Sequence, residues 1–404
     1  MSTSSDRNVS RLLSPSTHLP IPSPELSLYS QQLSDLVQKK IAQSGGWISF
    51  SEFMHMALYT PMLGYYSGGL PKFGTNQNGG GDFVTAPQIT PLFARALAKQ
   101  VGHVIAVTRG DVLELGAGTG QLAADLLLAL ADLSQLPKHY FILEVSSHLR
   151  KVQRENLQKK LPESLFEKIV WFDKLPKNFV GMLLGNEVLD AIPVHLLVKK
   201  ADGLYERGVR FDMSFHWQER SLQDERLLES VDVDRWPNAY LTEVCPAAYG
   251  LIKSLAAALE AGAILMIDYG FSASEFYHPQ RNQGTLMCHY QHYAHSNPLI
   301  HIGLQDITAH VNFSAIAQAG LDGGLDFYGY TTQAQFLMNC GLLDLLAKES
   351  PEHIERYAPM TAAVQKLLSP SEMGDLFKVI AFTKSLSDDF ALLGFVDGDK
   401  SHTL

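Results

Sequence analysis

Only three cysteines, Cys245, Cys288 and Cys340, occur in 404 residues. They are far apart, odd in number and outside any C-x-x-C pairing. A disulfide framework and a thiolate zinc site are therefore excluded as organising features. A reducing, cytoplasmic compartment is expected. Long apolar runs are also missing. Stretches such as Ala261–Ile267 are strand-sized, far short of the ~20 residues that cross a bilayer, so no membrane span is expected. Net positive charge is absent as well. A formal charge of −10 provides no broad field for nucleic acid or an anionic membrane. Met1–Pro24 lacks an apolar signal core, and its Ser- and Pro-rich composition reads as a disordered tail over 1–25.

What remains is ample material for a core, with 46% hydrophobic and 18% charged residues. Leu28, Leu33, Leu36, Val37 and Ile41 lie at helical spacings. Phe50–Leu58 reads as a second helix capped by Ser49 or Ser51, and Thr90–Val107 as another after Pro87. Residues 26–108 thus read as a helical lobe, with the glycine-dense Gly68–Gly81 as a lid loop. From Asp111 the pattern changes. Apolar runs at Val112–Leu115, Tyr140–Val145, Ile169–Phe172, Met182–Gly185 and Ile264–Ile267 alternate with helices that include Gln121–Asp132 and Ser147–Lys160. Such alternation predicts an α/β, Rossmann-like core around a mostly parallel sheet. The core spans 109–270, with a β insertion at about 194–220 marked by the Asp202-Gly203 turn signal. Residues 271–324 form an irregular insertion, 325–385 complete the sheet with a hairpin-like pair, and 386–404 are a tail.

Chemistry concentrates at the carboxyl ends of these strands, where open α/β sheets bind ligands. Glu114-Leu-Gly-Ala-Gly-Thr-Gly120 sits between a strand and a helix. Gly116, Gly118 and Gly120, with Ala117 between them, permit tight turns and close backbone approach to a ligand. The spacing is G-x-G-x-G rather than the dinucleotide G-x-G-x-x-G, which disfavours a nicotinamide enzyme. It suits S-adenosyl-L-methionine (SAM), whose cationic groups would welcome Glu114. The plain alternative is a structural glycine turn. Glu144 lies 24 residues after Gly120 at the second strand's end and could accept both ribose hydroxyls. Asp173, after the third strand, could meet the adenine amino group, or could be a solvated loop acid.

Asn186-Glu-Val-Leu-Asp-Ala-Ile-Pro193 follows the fourth strand. If it turns as a helix, Glu187 and Asp190 share a face and could clamp a guanidinium, orient it and take its proton. The alternative is a helix start with dipole-compensating acids. Asp82 and Thr85, after the lid loop, could reach the cofactor's ammonium or carboxylate. Asp306 and His310 could line a substrate wall, or Asp306 could cap a helix over Ile307–Gln318. His289, His292 and His295 beside Cys288 do not match a zinc spacing, so no metal is expected.

Gly64-Tyr-Tyr66, Gly81–Pro87, Glu114–Gly120, Asn186–Pro193, Ile267-Asp-Tyr-Gly270, Gly303–His310 and Gly329-Tyr-Thr-Thr-Gln333 together resemble the MidA family of methyltransferases. The likeness spans about Ile48 to Phe382. Gln88, Ala94 and Asn312 depart from the family's usual Glu, Gly and Asp. The resemblance implies a class I methyltransferase with a seven-stranded sheet and SAM as cofactor. That family is similar to a mitochondrial complex I assembly factor that methylates a protein arginine. It therefore implies arginine N-methylation with Asn186, Glu187, Asp190 and His310 as catalytic candidates. The implied partner is a protein substrate such as a respiratory NADH dehydrogenase subunit, not nucleic acid. A non-catalytic SAM-binding assembly factor and a small-molecule methyltransferase are the rival functions.

Overall fold

A computed structural model describes residues 19–68, 85–229, 231–387 and 389–404. The chain divides into two compact units. One comprises residues up to 84 with 193–244 and 281–309; the other comprises 85–192, 245–280 and 310–404.

The second unit is built on one sheet. Its strands in chain order are β1 (Asp111–Leu115), β2 (Tyr140–Leu143), β3 (Ile169–Phe172), β4 (Phe179–Asn186), β5 (Leu259–Phe271), β6 (Val311–Asn312), β7 (Asp326–Thr332) and β8 (Phe377–Lys384). The main path runs β7-β8-β5-β4-β1-β2-β3, seven strands, with the two-residue β6 added against β5. Pairings among β1 to β5 are parallel, whereas β8 runs antiparallel to both β5 and β7. This is the mostly parallel α/β sheet that the sequence pattern predicts.

Helices α1 (Pro91–Thr108), α2 (Gln121–Asp132), α3 (Ser147–Lys160), α4 (Pro246–Ala258) and α5 (Phe313–Asp322) cover the sheet. Parallel strands buried on both faces read as continuous apolar runs, and β4 and β5 do. On one face Val112, Met182, Leu184 and Leu265 pack with Leu97 and Val101 of α1 and with Leu122 and Leu126 of α2. On the other, Leu113, Leu183, Ile264 and Met266 pack with Ile252 and Leu255 of α4 and with Ile316 of α5. Each fully buried Leu or Ile contributes about 1.5–3 kcal/mol of transfer free energy, so the sheet is the rigid platform for anything at its ends.

The first unit carries helices Pro24–Gln43 and Phe50–Tyr59. The Ser49 hydroxyl caps the second by accepting from Glu52 N at 3.1 Å. The expected β insertion is a five-stranded antiparallel sheet. Strands His195–Lys200, Gly203–Phe211 and Phe215–Ser221 are joined by Tyr240–Val244 and by Ile48–Ser49. A separate three-stranded sheet forms from Met287–Tyr290, Tyr293–His295 and Asp306–Thr308.

Several expectations need correction. The lobe expected over 26–108 divides at Thr85, because Leu92, Phe93, Leu97 and Val101 of α1 are consumed by the second unit's core. The segment 271–324 divides too, with 281–309 in the first unit and α5 in the second. The tail expected over 1–25 ends earlier. Helix Pro24–Gln43 begins at Pro24, with Ser23 as its cap, and residues 1–18 lie outside the described residues. The C-terminal 386–404 is not a loose tail. Leu392 is buried, Gly394 lies against the Phe336 ring, and Thr331 Oγ1 donates to Gly398 O at 2.8 Å.

Candidate active site

After β1 the chain must reverse into α2 within Gly116–Gly120. Gly116, Gly118 and Gly120 take φ of +59°, +53° and +81°, a left-handed region that costs a residue with a side chain roughly 1–2 kcal/mol. Gly116 N donates to Leu143 O at 3.0 Å and Gly120 N to Ala117 O at 2.7 Å, so the loop is tied to the end of β2 and to itself. A Cβ on Gly120 would meet Leu157 Cγ at 3.1 Å, whereas one on Gly118 would meet nothing within 4 Å among the described residues. Gly120 thus permits close packing on α3, and Gly118 leaves the outer surface of the loop bare.

Helix α3 holds the loop from behind. Gln153, wholly buried, donates from Nε2 to Gly118 O at 3.1 Å and to Glu144 Oε2 at 3.0 Å. Its Oε1 accepts from Trp171 Nε1 at 3.0 Å. Asn156 Nδ2 donates to Thr119 O at 3.1 Å. Glu144 therefore sits immediately beyond β2, joined to the glycine loop through one amide. Its Oε1 also accepts from Ser146 N at 2.8 Å. Burial raises its pKa, and the Ser146 and Gln153 hydrogen bonds and the Arg150 charge oppose the rise. Arg150 donates to Glu144 O at 2.7 Å and Phe172 O at 2.6 Å, and pairs with Asp173 at 2.7 Å, pinning the ends of β2 and β3 together. Asp173 itself is 83% exposed, which makes it a solvated partner of Arg150 rather than the wall of a pocket.

Glu114 lies beneath the loop. It is buried and accepts from Tyr140 Oη at 2.8 Å. Burial pushes its pKa up to about 7; the Tyr140 hydrogen bond opposes this and the nearby Glu144 charge adds to it.

The segment after β4 is a turn and not the helix considered from sequence. Glu187 holds φ +54°, and its N–H donates to Ile267 O at 2.8 Å, which diverts the chain from helical geometry. A non-glycine residue kept in this region at a strand end marks stored backbone strain of the kind that gathers at working sites. What holds the turn is Asp268, buried inside β5. Its Oδ2 accepts from Val188 N (3.0 Å), Leu189 N (2.8 Å) and Asp190 N (3.3 Å), and its Oδ1 from Tyr269 N (2.9 Å). Tyr269 Oη donates to Asp190 Oδ2 at 2.6 Å. Glu187 Oε1 accepts from Asn186 Nδ2 at 3.0 Å and Ala86 N at 3.3 Å.

Three carboxylates thus gather near the carboxyl ends of β4 and β5. Burial raises Asp190 to about 6, against the lowering effect of the Tyr269 hydrogen bond. Burial first, then the charges of Asp190 and Glu187, raise Asp268 well above the carboxylate range. Among the described residues, Asn186 Oδ1 is a buried acceptor without a hydrogen-bond partner. His310 lies flat on Phe271 (centroids 5.1 Å, 2°) and edge-on to Tyr269 (5.0 Å, 84°), so it borders the same cluster.

Other candidates fall elsewhere. Asp82 and the lid loop lie outside the described residues. Thr85 N donates to Gln88 Oε1 at 3.4 Å at the start of the short helix Ala86–Ile89. Asp306 does not cap a helix. It belongs to strand Asp306–Thr308 in the first unit and accepts from Tyr66 Oη at 2.8 Å. The cap of α5 is Asn312, whose Oδ1 accepts from Ala315 N at 3.3 Å. His289 and His295 lie on the two strands of a hairpin, joined by a turn with Gln291 and His292 at positive φ. Burial pushes His289 down to about 4. Among the described residues no group of three His, Cys, Asp or Glu side chains could hold a metal.

Sequence reasoning missed Asp268, Tyr269 and Gln153 as parts of this assembly. Two signals were available. Asp268 interrupts the apolar run Ala263–Ile267, and a carboxylate there must find donors or neutralise. Gln153 sits between Leu149 and Leu157 on the stripe of α3 that faces the core.

A parallel sheet with a glycine loop after its first strand, an acid after its second and a polar turn after its fourth defines the class I methyltransferase architecture. Residues 92–331 match the model of a family described as S-adenosyl-L-methionine-dependent methyltransferase, and the chain belongs to that family, the MidA-like group that its motifs resemble. A superfamily relative from Burkholderia thailandensis, crystallised bound to S-adenosyl-homocysteine, is 47% identical with a TM-score of 0.91, covering 96% of this chain and 100% of its own. Among curated relatives, the mitochondrial protein arginine methyltransferase NDUFAF7 of Danio rerio is 27% identical, covering 87% of this chain and 86% of its own. The Homo sapiens protein of that name is 28% identical, covering 84% and 80%. The cofactor is therefore SAM. The residues present fit it: the bare face at Gly118 gives room for close approach, and Asn186 Oδ1 and the acids around it suit a cationic ligand.

Proposed function

We propose that this methyltransferase acts on an arginine guanidinium of a protein substrate. The supporting observation is the convergence of Glu187, Asp190 and Asp268 beside Asn186, one strand from the glycine loop. With Asp268 raised well above the carboxylate range and held by backbone N–H groups, Glu187 and Asp190 are the acids left to meet a cation, and a planar guanidinium offers forked donors to more than one carboxylate. The names of the curated relatives, protein arginine methyltransferases, support the same reading.

When bound, SAM supplies an electrophilic methyl on a cationic sulfonium. In this reading Gly116, Ala117, Gly118 and Gly120 receive it through the backbone. Glu144 takes the ribose hydroxyls, and Asn186 the amino acid end, together with Thr85. Glu114 contributes from below as a buried acid. Asp173 stays at the solvent edge, holding Arg150. Glu187 and Asp190 bind and orient the guanidinium. An Asp190 lifted to about 6 is a better proton acceptor than an exposed aspartate. His310, flat on Phe271, forms an aromatic wall for a planar cation. Catalysis rests mainly on alignment of the nitrogen with the methyl and exclusion of water. By resemblance, a respiratory NADH dehydrogenase subunit is a suitable acceptor.

The test is product identity. Purified protein is incubated with methyl-labelled SAM and cell extract, and the labelled protein is hydrolysed for amino-acid analysis. Label in methylarginine supports the reading. Label in another amino acid or in a small molecule contradicts it, and no transfer at all favours a SAM-binding assembly factor.

A further inference from the structure

The acid that the proposed function places against the acceptor does not set its direction alone. Asp190 lies in a turn of irregular backbone, and within that turn its own N–H and that of Ala191 are turned toward its carboxylate. Two consecutive residues of β5 supply the rest. Asp268 takes three consecutive N–H groups of the turn on one oxygen, which fixes where the Asp190 backbone starts. Tyr269 follows directly, and its phenol reaches Asp190 Oδ2 at 2.6 Å. The Tyr269 ring is itself wedged, edge-on to His310 at 5.0 Å and to Phe377 at 5.4 Å, so its hydroxyl has little freedom.

We infer that Tyr269 is a positioning residue of the methyl transfer: its phenol directs the Asp190 carboxylate and keeps it charged, while Asp268 holds the backbone of the same turn. This deepens the proposed role of Asp190 and rests on it. Asp190 and Asp268 are both buried, and each makes ionisation of the other harder. Without the phenol, Asp190 would keep only main-chain donors against the four on Asp268, the proton shared between such acids would move toward it, and a protonated Asp190 could neither attract a guanidinium nor take its proton. A phenol is the donor suited to this place. It offers a single O–H to the carboxylate from a ring held between His310 and Phe377. The groups facing Asp190 in this account are Asp268 and Tyr269 from β5, Glu187 from its own turn and His310 from beyond the Tyr269 ring.

The experiment uses the full chain with labelled aspartate carboxyl carbons. The Asp190 resonance is identified as the one missing from Asp190→Asn and is followed across pH in wild type and Tyr269→Phe. Removing the hydroxyl moves the Asp190 midpoint to higher pH. SAM affinity, by calorimetry, stays within a few-fold of wild type. The acid limb of methyl transfer into cell extract moves the same way, with about tenfold lower transfer at its acid end. Tyr269→Trp, which keeps an aromatic wedge without the phenol, should behave alike if it folds. An Asp190 midpoint unchanged in Tyr269→Phe overturns the inference, whatever the rate does. A shifted midpoint in a chain whose Asp190→Asn variant still transfers methyl normally leaves Tyr269 as the partner of Asp190 but removes Asp190 from the reaction. The two failures are thereby told apart.

Discussion

Glu114 and Glu144 are neighbouring buried acids, and their partners set them different tasks. Glu144 carries two N–H donors just beyond β2 and is proposed to take the ribose, so Glu144→Ala should weaken SAM binding by roughly 1.5–3 kcal/mol. Glu144→Gln, which keeps one accepting oxygen, should lose less. Calorimetry on folded variants decides this, and wild-type affinity in both would remove Glu144 from the cofactor site. Glu114 has one phenol donor and a pKa raised from 4.5 to about 7. The folded state then holds a proton that the unfolded chain gives up at lower pH. The contribution of Glu114 to stability is full below 4.5, declines as pH rises through 7 and is flat above, a span of about 3 kcal/mol. Glu114→Gln should flatten that part of the pH dependence. Urea unfolding at pH 5 and pH 8 gives the difference, and an identical pH difference in wild type and variant would refute the assignment.

At the scale of elements, the glycine loop is shaped by what lies behind it. Gln153 links loop, acid and β3 through three hydrogen bonds, so Gln153→Ala releases all three at once. The expected result is SAM binding weakened about tenfold by one lost interaction's worth of order, with a lower melting temperature. Unchanged binding would mean that the loop keeps its form without α3. Elements such as α2 and α3 were legible to the residue, because their apolar spacing and tertiary role agree, with Ser146 capping α3. The turn at 186–193 was not. Its shape depends on a positive φ at Glu187 and on a carboxylate about 80 residues away in sequence. The helix cap considered as one alternative for Asp306 fails for a related reason. A Ser/Thr/Asn/Asp residue before an apolar run signals a helix cap, and two such residues, Asp306 and Asn312, precede α5. Only register with Met287–Tyr290 assigns the first to a strand.

For the whole molecule, strand–helix alternation carried the sheet class, and the β7–β8 pair closed it as the late apolar runs imply. The division into units was less legible, because each unit is assembled from separated stretches of chain. The last residues were read as a tail because one short apolar run has no period; its partners Phe336 and Tyr328 are supplied by distant elements. The account's central claim is that one end of this sheet binds SAM through the glycine loop and uses the turn after β4 for the acceptor. The most direct measurement is methyl transfer by the double variant Glu187→Gln with Asp190→Asn, using labelled SAM and cell extract, with SAM affinity measured in parallel. The account predicts affinity within a few-fold of wild type and transfer reduced by about 10²–10⁴-fold. Transfer at the wild-type rate by the folded double variant would contradict it.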